Sequence, residues 1–293
     1  MNNRKVGKLK KGFNWIYLVV GIILGLYCLM LITPLIWSLL TSFKGDREFR
    51  ANMISFPKSI NFENYAYVFS RYYVPVEGGV VDIFGMFANS ILYALGSAIA
   101  NTFTLCMTAY LCARYNFKFS KIVYTIVIVT MALPIVGNLP SEIQVASFFG
   151  LKDNIWFIWI MKANFLGMYF LVFYSYFKKL PKAYTEAAQI DGANHFQIFF
   201  KIAFPLVSLL FGTILLINFI TFWNDYQTPL IYLPNKPTAM LGVYSMVFST
   251  DTYLATKPRI MTSIMLVCIP VITLFSVFHK RLMGNLSIGG VKG

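Results

Sequence analysis

Residues 180–205 begin Leu180-Pro181-Lys182-Ala183-Tyr184-Thr185-Glu186-Ala187-Ala188-Gln189-Ile190-Asp191-Gly192-Ala193-Asn194-His195-Phe196 and run on to Phe204-Pro205. This polar, alanine-rich interlude lies between two long apolar runs. Pro181 suits a helix start, where its missing N–H would be unbonded anyway. Glu186, Ala187 and Ala188 are good helix formers. Gly192 is placed to end that helix, because glycine reaches left-handed dihedrals without a Cβ penalty. From Ala193 a second helix can run toward Pro205. The stretch therefore predicts a short helix, a turn and a helix, with a small-residue face that another protein can approach closely.

The runs on either side set the class. Of 293 residues, 58% are hydrophobic, 17% aromatic and only 12% charged, with a mean hydropathy of +0.65. A soluble domain carries about 25% charged residues, so several membrane spans are expected. A net charge of +14 raises nucleic acid as a partner. However, the basic residues sit in short loops beside apolar runs and not on one soluble face, which favours a membrane and argues against nucleic acid. Cys28, Cys106, Cys112 and Cys268 all fall within or at the ends of apolar runs. Their spacing suits neither a metal site nor a disulfide framework, and they read as small buried hydrophobes.

In chain order, residues 1–14 form a basic N-terminus with Arg4, Lys5, Lys8, Lys10 and Lys11 and no acid. The apolar run at 15–41 is too long for a secretory signal and reads as a first transmembrane helix, with Pro34 as a kink. Residues 42–86 form an extracytoplasmic segment of mixed charge, including an irregular loop at 73–85. Residues 87–278 hold five more helices, at about 87–113, 122–136, 155–177, 202–222 and 260–278. The loop at 180–201 falls among them, and 279–293 is a C-terminal tail. Each span is near the roughly 20 residues that cross about 30 Å of hydrocarbon. The inner segments so defined hold fifteen of the 25 Lys and Arg but only Glu186 and Asp191 of the eleven acids. That asymmetry is the positive-inside pattern, and it predicts an all-α membrane protein of six transmembrane helices with both termini cytoplasmic.

With these residues in place, the chain resembles the permeases of binding-protein-dependent ABC importers. The pattern Glu186-Ala187-Ala188, three residues, Gly192 looks like their EAA loop. Leu180-Pro181, Asp191-Gly192-Ala193 and Pro205 resemble the carbohydrate-importing, maltose-type branch and its second permease subunit. Further likeness lies in Asn61-Phe62-Glu63-Asn64-Tyr65, Asn89-Ser90, Ala113-Arg114, Leu139-Pro140-Ser141-Glu142 and the terminal Gly289-Gly290-Val291-Lys292-Gly293. Lys257-Pro258-Arg259 before the sixth span and the long outer segment depart from the pattern.

The resemblance implies a type I importer permease fold in the bacterial plasma (inner) membrane. It also implies a heterodimer with a second permease, an ATPase dimer on the inside and an extracytoplasmic sugar-binding protein. Glu186, Ala187, Ala188, Asp191 and Gly192 would form the coupling helix that docks on the ATPase, and residues 289–293 a tail lying against it. ATP and Mg would belong to that partner. This chain has no Gly-rich stretch ending in Gly-Lys-Ser or Gly-Lys-Thr, no metal cluster and no nucleophile–base pair, so no cofactor and no enzymatic activity of its own are expected.

Other residues keep two readings. Glu186 near a helix start answers to the helix dipole, or to a basic groove on a partner. Lys162 interrupts the fourth span sixteen residues before Lys178, about 24 Å along a helix, near the outer boundary. There it either snorkels past Trp156 and Trp159 or meets the substrate. Asn89, Asn101, Asn164, Asn218, Trp223 and Asn224 offer the amides and aromatic faces that hold sugars, but Asn is also packing glue between helices and Trp an interface anchor. Two other functions compete: an importer of another solute, such as a polyamine or inorganic anion, and a secondary carrier. The absence of a deep carboxylate and of internal repeats argues against the carrier.

Overall fold

The computed structural model describes residues 15–115, 117–133, 137–250 and 255–286, with side chains in the last helix through residue 279. Helices α1 (Trp15–Ser42), α2 (Asp46–Ala51) and α3 (Glu63–Arg71) precede strands β1 (Tyr73–Val76) and β2 (Gly79–Asp82), which lead directly into α4 (Ile83–Arg114). Next come α5 (Lys118–Ala132), α6 (Leu139–Phe148), α7 (Ile155–Lys162), α8 (Met168–Lys179) and the loop helices α9 (Ala183–Ile190) and α10 (His195–Ile198). A π turn at Phe199–Ala203 joins α10 to α11 (Phe204–Trp223). Then follow α12 (Gln227–Tyr232), α13 (Ala239–Val247) and α14 (Lys257–Leu286).

Among the described residues, four helical stretches are long and apolar enough to cross a membrane: Trp15–Ser42, Ile83–Arg114, His195–Trp223 and Lys257–His279. The 32-residue α4 is the axis, packed by α7, α8, α11 and α13. Asp82 caps it by accepting from the Gly85 amide at 2.8 Å, which satisfies one of the donors a helix start leaves unpaired. Toward the Ile83 end, Met86, Ala94 and Ala98 meet Phe219, Trp223, Val243 and Val267. Toward the Arg114 end, Leu105, Cys106, Ala109 and Tyr110 meet Phe170, Phe173, Phe177 and Phe199. Small residues on α4 let these large side chains reach its backbone.

Helix α1 buries only Thr41 and Ser42, so its apolar length faces outward. It is fastened at its end. Asn64 Nδ2 donates to the Ser42 and Lys44 carbonyls at 2.9 and 2.8 Å, and the Ser42 and Tyr65 hydroxyls meet at 2.8 Å. The stretch at 61–65 thus supplies partners for the carbonyls that a helix C-terminus leaves open.

The structure corrects several expectations. Residues 73–82 are not an irregular loop but an antiparallel hairpin, with Tyr73 opposite Asp82 and Val76 opposite Gly79. Two β-branched runs flank its turn, where Gly78 takes φ +84°, a conformation that costs other residues more. The fourth span is not one helix, because α7 and α8 are separated by residues 163–167. The third begins at Lys118, four residues before the expected start, and residues 134–136 lie outside the described residues. Pro181 does not start α9, which begins at Ala183. Lys257-Pro258-Arg259 opens α14, and the Arg259 guanidinium lies 3.6 Å from the centre of the Tyr67 ring, a cation–π contact between α14 and α3.

Candidate functional site

The polar loop folds as the short helix, turn and helix that its residues predict. Gly192, at φ +77°, supplies the left-handed residue after α9, and its N–H bonds to Gln189 O at 3.0 Å. The next helix starts two residues later than expected, at His195, on a reciprocal cap. Asn194 Oδ1 accepts from the Gln197 amide, and Gln197 Oε1 from the Asn194 amide, both at 2.9 Å. Asn followed three residues later by Gln is the sequence signal for this cap.

Helix α9 turns one face inward and leaves the rest bare. Ala188 is buried, whereas Glu186, Ala187, Asp191 and Gly192 are exposed. Tyr184 is 54% and Ile190 86% exposed, so α9 shows an apolar surface that the described residues leave uncovered. Among the described residues, Glu186 has no ion pair. It lines a small cleft with Arg114, Lys182 and Gln189.

A second polar assembly lies where the fourth span breaks. Asn164 Oδ1 accepts from the Leu166 amide at 3.2 Å, and Gly167 takes φ +120°, so the chain leaves the helix and re-enters it at Met168. The carbonyl of Lys162 that this break exposes accepts from Asn101 Nδ2 at 2.9 Å. Asn218 Nδ2 in turn donates to Asn101 Oδ1 at 3.0 Å and Thr102 Oγ1 at 2.9 Å. Non-helical backbone at membrane depth requires such partners.

The Lys162 side chain does not reach for a boundary. Its Nζ donates to Thr228 Oγ1 at 3.0 Å and lies 3.8 Å from Asp225 Oδ2. Asp225 Oδ2 also accepts from the Tyr93 and Thr228 hydroxyls at 2.7 and 2.6 Å. Burial acts to raise the Asp225 carboxyl, but the Thr228 and Tyr93 hydrogen bonds and the Lys162 charge outweigh it and hold the group below its usual range. The pair is a partly buried charge answered by charge and hydrogen bonds, which replaces the snorkelling expected of Lys162.

Of the six pathway candidates, the structure brings Asn101, Asn164 and Asn218 together and leaves the others apart. Trp223 is 2% exposed and donates from Nε1 to Val267 O at 3.1 Å, which makes it a packing residue here. Asn89 donates to Pro237 O at 3.1 Å, and Asn224 to Ile220 O at 2.8 Å. Residues 289–293 lie outside the described residues. Among the described residues, no three His, Cys, Asp or Glu side chains converge to hold a metal ion. Thr102, Tyr93, Asp225 and Thr228 were not singled out as site residues from sequence. Asp225, an acid at the edge of an apolar run, was the available signal.

Residues 105–287, which hold the loop and the interrupted span, match the family described as binding-protein-dependent transport system inner membrane component. The chain belongs to this family. As one of these inner membrane components, it is similar to the diacetylchitobiose uptake system permease protein of Streptomyces coelicolor, 26% identical over 90% of this chain and 85% of the relative. The arabinooligosaccharides transport system permease protein of Bacillus subtilis is 28% identical over 90% of this chain and 92% of the relative. Its fold matches a chain in the crystal structure of a bacterial ABC transporter involved in import of the acidic polysaccharide alginate. The TM-score there is 0.77, at 21% identity, covering 94% of this chain and 99% of the other. The four apolar helical stretches suit an inner membrane component.

Proposed function

We propose that this chain is one of two permease subunits of an ATP-binding-cassette importer for a carbohydrate, most simply an oligosaccharide. The observation that carries the proposal is α9. A short helix with a glycine turn leaves Tyr184, Glu186 and Ile190 exposed, held on the frame of a permease family member. The relatives named for diacetylchitobiose and arabinooligosaccharides support the solute class.

In this reading α5 and the α7–α8 pair complete six spans, with both termini and α9 on the cytoplasmic side. A second permease completes the pathway, and an extracytoplasmic binding protein delivers the sugar. An ATPase dimer, which holds ATP and Mg, receives α9. Closure of that dimer moves α9, and the spans rock between inward-open and outward-open states. Glu186 anchors the helix to the ATPase, Ala187 allows close approach, and Gly192 makes the turn. The tail at 289–293 lies along the same partner. The interrupted span, with its amides from Asn101, Asn164 and Asn218, supplies polar groups to the pathway, as broken helices do in other transporters.

The test is ATP-driven uptake into vesicles holding the whole complex, using a panel that includes diacetylchitobiose and arabinooligosaccharides. Gly192→Pro and Glu186→Lys should abolish uptake while the two permeases still assemble. Normal uptake by both variants, or uptake by this chain alone without ATP, refutes the reading.

A further inference from the structure

Two consecutive residues at the end of α4 grip the loop on both sides of α9. Before it, Arg114 Nη1 donates to Leu180 O at 2.8 Å, and Nη2 donates to Pro181 O and Thr185 Oγ1, each at 3.2 Å. After it, the Tyr115 hydroxyl meets His195 Nδ1 at 2.9 Å. Arg114 therefore holds the carbonyls of the link between α8 and α9 and reaches into the first turn of α9 with one planar group. A guanidinium does this where an ammonium, a single point of charge, cannot.

At its other end α4 is tied just as firmly. Asn89 holds Pro237 O, Ser90 Oγ accepts from the Ala239 amide at 2.7 Å, and Tyr93 holds Asp225. Between Tyr93 and Arg114 the helix runs unbroken for about 32 Å. Unlike the fourth span, α4 has no break that could absorb a displacement.

We propose that Arg114 is a positioning residue for energy coupling. Its fork, with the Tyr115–His195 bond as a second post, fixes α9 to α4, so that movement of α9 is delivered along α4 to the 225–239 region. The inference rests on the coupling role proposed for α9, and adds that α4 is the element driven.

The whole complex in vesicles provides the test, read as sugar imported per ATP hydrolysed, with the oligosaccharide that the unaltered complex takes up best. In Arg114→Gln the ratio should fall by about fivefold or more, the lower end of typical coupling between sites, while the ATPase stays bound. Arg114→Lys should recover only part of it. A role confined to stability would lower the yield of complex and leave the ratio unchanged, and that result overturns the proposal. If Arg114→Gln does not assemble, Thr185→Val removes one acceptor and spares the Leu180 and Pro181 carbonyls. A reduced ratio then supports the clasp, and an unchanged one overturns it. Failure of the coupling role itself reads differently, because Glu186→Lys and Gly192→Pro would then import normally. Failure of the clasp alone leaves those two defective and Arg114→Gln normal.

Discussion

Asn218 of α11 donates to Asn101 Oδ1 of α4 at 3.0 Å, and Asn101 in turn holds the Lys162 carbonyl at the break between α7 and α8. The two amides join three elements. Asn101→Leu leaves the Asn218 amide with Thr102 alone and the Lys162 carbonyl with the Asn164 amide. Interhelical hydrogen bonds in membranes are worth about 0.6 kcal/mol on average. The thermal midpoint of the purified permease should drop clearly for Asn101→Leu and less for Asn101→Asp, which can still accept from Asn218. Equal midpoints for the two variants would refute the role of the Asn101 oxygen.

Trp159 of α7 lies directly over Gly96 of α4, where an added Cβ would overlap the indole. The ring also donates to Leu92 O at 3.1 Å, so it has little freedom to retreat. Gly96→Val should push α7 off α4 and destabilise the protein by about 1–3 kcal/mol, the usual cost of overpacking. Tryptophan fluorescence should shift at the same time. The second substitution Trp159→Leu should restore part of the loss, which a defect unrelated to this contact would not allow.

Much of this was legible in the residues. The loop at 180–205 shows its helix, turn and helix because Gly192 and the alanines act locally. What was not legible depends on partners distant in sequence. The break at 163–167 sits in a stretch whose hydropathy reads as continuous, and one of the donors that meet it comes from Asn101, some 60 residues earlier. Lys162 looked like a boundary residue because its counter-charge, Asp225, lies 63 residues away in the chain. The hairpin at 73–82 was missed for a different reason: four-residue strands give too short an alternation to separate from a loop.

Asn235 pins that hairpin to the rest of the molecule. Its side chain accepts from the Glu77 amide at 2.8 Å, its Nδ2 donates to Asp153 Oδ2 at 2.9 Å, and its own amide reaches Asp153 Oδ1 at 2.7 Å. Asn235→Ala removes the first two bonds and keeps the third. Hydrogen exchange in residues 73–82 should speed up by roughly tenfold, the equivalent of about 1.4 kcal/mol, with exchange in α4 unchanged. Unaltered exchange in the hairpin would mean that its packing on α13 and α4, and not Asn235, holds it.

The Asp225 carboxylate gives a pH signature with a defined sign. Its folded-state pKa lies below the ordinary value, because Thr228, Tyr93 and Lys162 outweigh burial. A depressed acid contributes stability that is fully present above the unfolded value of about 3.9 and is lost as pH falls through the folded one. Asp225→Asn removes the charge while keeping the shape, and should lower stability by about 1–3 kcal/mol. The gap in thermal midpoint between the unaltered protein and Asp225→Asn should therefore be flat from about pH 5 to 8 and shrink only below about pH 4. Lys162→Met should narrow the gap only in part, because the Thr228 and Tyr93 hydrogen bonds contribute more to the depressed pKa than the Lys162 charge does. A gap that already closes between pH 7 and 5 would show that burial dominates and that these partners do not hold the carboxylate charged.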